Sequence, residues 1–249
     1  MAKNSTAMSA VTETTSIDAS YFDNYAGAGT ETLTGSSVGL PYLSLIQPSS
    51  EAAVGGEVGV WRNSLTGATY GKQIKVIPLA FRTIWVERQS EAPYGTVGRY
   101  PVGGIKVELR QPTGGKGYPK MVNPATGNQI QEMFVYVLML AEHPEDGIMY
   151  YTPALSSMKT AKGWNTQLRS QVLPNGVQAP IFAYDWTLVS DMVQNPKQPA
   201  QQIAKLISAV KGSIVDKNIF QTYVEPKLQT ASQEALQLTS DSTETADVE

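Results

Sequence analysis

The sequence contains no cysteine. That excludes disulfides, thiolate zinc sites and cysteine nucleophiles, and it is the usage expected in a reducing cytosol. Only one histidine is present, His143, and no Ser/His/Asp set can be assembled around it. Charge is sparse at 16% of residues. No run of 18 apolar residues occurs, so no transmembrane helix is expected. The first twenty residues, MAKNSTAMSAVTETTSIDAS, lack an apolar h-region and do not read as a secretory signal. The glycine-rich stretch TGGKGYPK lacks the spacing of a phosphate-binding P-loop and has no Ser/Thr after its lysine.

What remains is a chain of 249 residues with 41% hydrophobic residues, 21 glycines and 15 prolines. This is enough for one large domain with a packed core, and the Gly/Pro supply suits short strands and turns. The net charge of −3 conceals a division. Residues 1–24 sum to −2 and residues 231–249 to −5, which leaves +4 for residues 25–230. A mildly basic middle lies between acidic ends, a distribution that points to a polyanionic partner.

Residues 1–35 are rich in Ser, Thr, Ala and Gly and read as a disordered arm. Residues 36–228 read as the folded domain, and residues 229–249 as an acidic disordered tail. Within the domain, 37–52 reads as an extended apolar piece docking on the fold. A long strand is predicted over about 72–87 by its β-branched and aromatic content. Pro78 inside it predicts an edge position or a bulge. Residues 94–129 read as a long Gly/Pro-rich loop with one short strand near 105–109. Residues 132–143 are apolar on both faces, which predicts a central strand, with 148–155 as its hairpin partner. Residues 156–171 read as helix and 180–193 as strand. The spacing of Ile203, Leu206, Ile207 and Val210 predicts a helix over 198–212. Residues 218–228 read as a short helix or a last strand, and the chain is polar from Gln229 onward. The predicted fold is mainly β with a few helices (α+β), in the form of a small antiparallel barrel of the OB-fold type with long loops and disordered ends.

Candidate binding residues are cations interleaved with rings, the combination that single strands require: cations follow the phosphates and rings stack on bases. Arg82, Trp85 and Arg88 lie in one strand, with the two arginines facing one way and Trp85 the other. Arg99, Tyr100, Lys116, Tyr118 and Lys120 lie in the glycine-rich section. In the helix, Lys159, Lys162 and Arg169 share a face, and Trp164 lies nearly opposite them at the edge of the apolar face, so it reads as a core anchor more than as part of a basic cradle. In the strand 180–193, Tyr184 and Trp186 share a face that serves either as the core or as a stacking ladder. His143 with Glu142, Glu145 and Asp146 crowds a turn and reads as a solvated loop.

The blocks WRNSLTGATYGKQIKVIPLAFRTIWVER, YVLMLAEHPEDGIMYYTPALSSMKTAKGWNTQL and PIFAYDWTLVS resemble tailed-bacteriophage single-stranded DNA-binding proteins across roughly residues 40–230. The resemblance implies an OB-type barrel, an acidic C-terminal tail and a non-catalytic protein of the host cytoplasm that binds single-stranded DNA in replication and recombination. Tyr151, Trp164 and Trp186 join the rings that it offers for stacking. It also implies phage replication proteins as partners of the tail, and a homo-oligomer. No membrane partner is expected. Some relatives hold zinc through cysteines, which this chain lacks, so no cofactor or metal is expected. Many tails of this class end in an aromatic residue, whereas this one ends Val248–Glu249. A β-rich virion or assembly protein accounts for the loops and acidic ends as well, but does not require a basic middle.

Overall fold

A computed structural model describes residues 40–54, 56–89, 95–112, 117–195 and 198–237. The expected disordered arm and residues 238–249 of the tail lie outside these, as do Tyr94 and Lys116.

Ten strands form: β1 Leu43–Leu45, β2 Trp61–Asn63, β3 Gln73–Arg88, β4 Thr96–Pro101, β5 Glu108–Arg110, β6 Lys120–Val122, β7 Gln129–Leu140, β8 Ile148–Tyr151, β9 Tyr184–Asn195 and β10 Gln198–Ile214. β1 and β2 pair with each other. The other eight make one antiparallel sheet of order β10-β9-β3-β7-β6-β5, with β4 added to β3 and β8 to β7. Helix α1 covers Met158–Ser170. At the C-terminus, α2 Lys217–Ile219 passes through a π turn, Phe220–Val224, into α3 Glu225–Gln237. Pro226 has no N–H to donate back into that turn, and the wider π spacing falls where the bond is missing.

β7 explains the layering. Phe134, Tyr136, Leu138 and Leu140 alternate with Val135, Val137 and Met139, and all seven are buried. A strand apolar on both faces needs a cover on each. On one face Tyr136, Trp164, Trp186, Leu188 and Trp61 form a core beneath α1 and the β1–β2 pair. On the other, Ile77, Leu79, Ile84 and Val137 pack with Val224, Leu228 and Ala231 of the C-terminal helix. The mainly β architecture with helices is therefore as expected. The sheet is open, with β10 and β5 at the ends of its order, and no closed barrel forms among the described residues, so the barrel form expected from the sequence is not seen.

Three further expectations are corrected. Residues 198–212 are the strand β10, not a helix. Ile203, Ile207 and Val210 fit helical spacing, but their β-branched side chains favour extended backbone. Pairing along β9 decides the matter, with register shifts at Leu206/Ser208 and Lys211/Ile214 that break the simple alternation. Residues 94–129 are not a plain loop: they contribute β4, β5 and β6 to the sheet. The chain also stays helical past Gln229, and Ala231 is fully buried. Pro78 does mark a bulge, at Pro78/Ala80, although β3 is an interior strand. The ladder of β3 with β9 ends at Val76 and that with β4 begins at Ile84, so around Pro78 no neighbour on that side needs its N–H.

Candidate nucleic-acid interface

Cross-strand register sorts the candidate side chains, because opposed residues and residues two apart on a strand share a face. Arg88 lies opposite Gln129, Val86 opposite Arg99, Val122 opposite Gln129, and Arg110 opposite Lys120. Arg82, Arg88, Arg99, Arg110 and Lys120 therefore share one face. It is the face on which Ile84 and Val86 join the core under the C-terminal helix. Beyond that core, Arg88, Arg110 and Lys120 line an open groove of about 630 Å³ with Gln129 and Gln131. Arg99 meets Arg88 across a smaller hollow over Ile84 and Met133. Arg88 Nε donates to Gln131 Oε1 at 3.1 Å, which holds the guanidinium over the groove.

None of these five cations makes an ion pair among the described residues. Lysines elsewhere do: Lys72 with Glu57 at 3.5 Å, Lys75 with Glu142 at 3.2 Å and Lys106 with Glu108 at 3.4 Å. Glu108 shares the face of Arg110, but its carboxylate goes to Lys106. Among the described residues the floor thus holds positive charge with no ion-pair partner.

The rings divide differently. Tyr118, two positions before Lys120, is 92% exposed. Trp85 and Tyr100 oppose each other, but they occupy the other face of the sheet, with the Tyr100 hydroxyl donating to Glu87 at 3.1 Å. Tyr151, Trp164 and Trp186 are withdrawn from any stacking role. All three lie in the core, Trp186 with no exposed surface, and the Trp164 ring stacks on Tyr136 at 4.5 Å. Burial raises the Tyr151 phenol pKa well above its ordinary value. The reason is the pattern itself: Tyr184, Trp186 and Leu188 alternate inward on β9, and the helical wheel turns Trp164 with Ala161 and Leu168 into the core. Lys159, Lys162 and Arg169 are exposed on α1, as the wheel requires. They lie on the opposite side of the sheet from the arginine floor.

The acidic turn is engaged internally. Tyr70 donates to Asp146 at 2.8 Å, His143 Nδ1 lies 3.4 Å from Glu145, and Glu142 holds Lys75. Burial and the Asp146 carboxylate push the Tyr70 phenol up to about 12. No cluster suited to a metal occurs among the described residues.

One residue that sequence reasoning missed is Glu87, a carboxylate only 1% exposed on the reverse side of the floor. Asn123 Nδ2 donates to it at 3.1 Å, Asn128 Nδ2 at 2.8 Å, and the Thr126 and Tyr100 hydroxyls complete the set. Desolvation works against the charged form. The four donors outweigh it and hold the carboxyl below the usual glutamate range. Glu87 thereby ties the Asn123–Asn128 turn to β3 and β4. That anchor matters because β6 joins β7 through a single registered pair, Val122 with Gln129. Tyr100 lies 13 positions away and the other three partners 36 to 41, so only the registers of β3 with β4 and β7 could have revealed them. Arg110 was also missed, because its short strand carries no periodic signal.

The sequence matches the family described as Pam3 phage gp34-like protein over residues 11–224. No curated protein and no solved structure matches it. No helix among the described residues is long and apolar enough to cross a membrane. With most of its length matched, the chain belongs to the Pam3 phage gp34-like family and is a bacteriophage protein.

Proposed function

We propose that this protein binds single-stranded DNA without sequence preference and without catalysis, protecting it during phage replication or recombination in the host cytoplasm. One observation carries the reading: Arg88, Arg99, Arg110 and Lys120, from four strands of one sheet, face the same way with no carboxylate partner among the described residues. Holding like charges together in a fold costs free energy, and a polyanion supplied from outside offsets that cost. Tyr118, exposed and two positions before Lys120, offers a ring for base stacking, worth about 1–3 kcal/mol per base. The acidic tail serves as a handle for replication proteins.

The test is anisotropy of labelled oligo(dT) titrated with the full chain at low salt. Saturable binding that is lost when Arg88, Arg99, Arg110 and Lys120 are all replaced by Gln supports the reading. No binding at low salt sinks it. Intrinsic tryptophan fluorescence is a poor reporter, because Trp61, Trp164 and Trp186 are buried and Trp85 faces away from the floor. A second reading, an assembly or virion component, draws on the outer edge of β10, where Ile207, Val210 and Ile214 are exposed. Co-sedimentation with phage particles in place of DNA binding favours it.

A further inference from the structure

A second concavity lies on the sheet face opposite the arginine floor. Its origin is the gap in the β3 ladder. β9 leaves β3 after Val76 and β4 joins at Ile84, so between them β3 has only β7 as a ladder partner among the described residues. The segment running into β9 passes this gap as a turn, Ile181–Ala183, and α1 ends above it. The space left is a cleft of about 690 Å³, within the range of small-molecule sites.

Its walls are Phe81, Leu168, Ala179, Pro180 and Ile181. Phe81 leans on Phe134 and Tyr136 with centroids at 5.5 and 5.1 Å, and yet remains 37% exposed. The ring is thus braced from behind and open in front. Three polar side chains converge on the same space: Asn165, Arg169 and Gln178. Two have their spare valence set by neighbours. Asn165 Oδ1 accepts the Tyr136 hydroxyl at 2.6 Å, which leaves its Nδ2 as a donor with no partner among the described residues. Gln178 Nε2 donates to the Arg169 carbonyl at 3.2 Å, which leaves its Oε1 as an acceptor with no partner among the described residues. The Arg169 guanidinium makes no ion pair among the described residues.

A braced ring, one amide donor, one amide acceptor and one unpaired guanidinium complement a flat group with both acceptor and donor edges and an attached anion. We infer that this cleft is a nucleotide pocket: a base lies against Phe81, its edge meets Asn165 and Gln178, and its phosphate meets Arg169. The apolar walls need a planar apolar body, and the guanidinium pairs with a phosphate in bidentate fashion. The pocket does not depend on the arginine floor, which lies on the other face, so either can fail without the other.

The test is the thermal midpoint of the full chain titrated with 2′-deoxyadenosine 5′-monophosphate to millimolar concentration, since a ligand that binds only the folded state raises it saturably. Two controls are 2-deoxyribose 5-phosphate, which lacks the base, and 1-naphthoate, which has a flat acid but no base edge. The expected result is a saturable rise with the nucleotide and much less with either control. Arg169→Gln and Phe81→Leu should each weaken the nucleotide about tenfold, and Lys120→Gln should leave it unchanged. Three outcomes overturn the inference: no saturable rise, an equal loss in Lys120→Gln, or naphthoate binding as tightly as the nucleotide. Should Phe81→Leu fail to fold, Arg169→Gln, at an exposed helix position, still decides.

Discussion

The two ends of β3 and β7 have the same backbone and opposite surroundings. Near Val76 and Leu140 the strands are covered on both faces, and the lysines bordering them, Lys72 and Lys75, are matched by Glu57 and Glu142. Near Arg88 and Gln129 the covers stop, β4, β5 and β6 extend the sheet, and the arginines have no acidic partners among the described residues. At the first end, side chains are spent on stability. At the second, Glu87 is strongly held, and it faces away from the cations it helps to place. On the proposed reading, a surface held rigid from behind and left charged in front serves a ligand more than the fold's own stability.

The comparison can be broken at several points. The largest effect is expected at the covered end. Trp186→Ala should cost about 3–5 kcal/mol by opening a cavity, read as a fall in denaturation midpoint. The oligonucleotide affinity of the folded protein should not change. A loss of affinity with an unchanged midpoint would return Trp186 to the surface. Next is Glu87→Ala, which leaves donors of β4 and the Asn123–Asn128 turn unpaired and should cost about 2–4 kcal/mol. It should also weaken oligonucleotide binding, because the β5–β6 hairpin loses its anchor.

Glu87 has a pH signature as well. Its folded pKa lies below the unfolded value. Its contribution is therefore fully present above the ordinary glutamate range, around 4.3, and is lost as pH falls through that range to the folded pKa. The wild type should lose more stability between pH 5 and 3 than Glu87→Gln does, in urea denaturation at each pH. Parallel curves would remove Glu87 as the cause.

Smaller effects on stability are expected at the open end. Arg88→Gln with Lys120→Gln should shift stability by no more than about 0.5 kcal/mol. It should lower the salt slope of oligo(dT) binding by about 1.4, since each phosphate contact contributes about 0.7. Smallest is Glu142→Gln, which frees the exposed Lys75 and should change stability by about 0–1 kcal/mol. It should leave DNA affinity unaltered.

Much of this was legible in the sequence wherever a local pattern decided the structure. β7 was readable because alternate positions are apolar on both faces, α1 because its wheel separates Trp164 from Lys162 and Arg169, and the Pro78 bulge because proline cannot donate to a ladder. β10 was misread because Ile203, Leu206, Ile207 and Val210 fit a helix, and only long-range pairing with β9 overrides that spacing. The same limit applies to the site. The outward direction of Arg82 and Arg88 follows from alternation, but their company with Arg99, Arg110 and Lys120 needs the register of four strands. Trp85's place on the other face follows from the same alternation, and only Tyr100 beside it needs the β3–β4 register. Two-sided burial on β7, already present in the sequence at residues 133–140, calls for a cover on each face, but the open order of the sheet is set by the long-range strand pairing.

The measurement that tests the central claim most directly is the salt dependence of oligo(dT) affinity, wild type against the variant with Arg88, Arg99, Arg110 and Lys120 all changed to Gln. The account predicts a linear fall of log affinity with log salt in the wild type and a slope smaller by about 2.8 in the variant, at about 0.7 per phosphate contact. Equal slopes in the two proteins would contradict it and move any DNA contact away from this face.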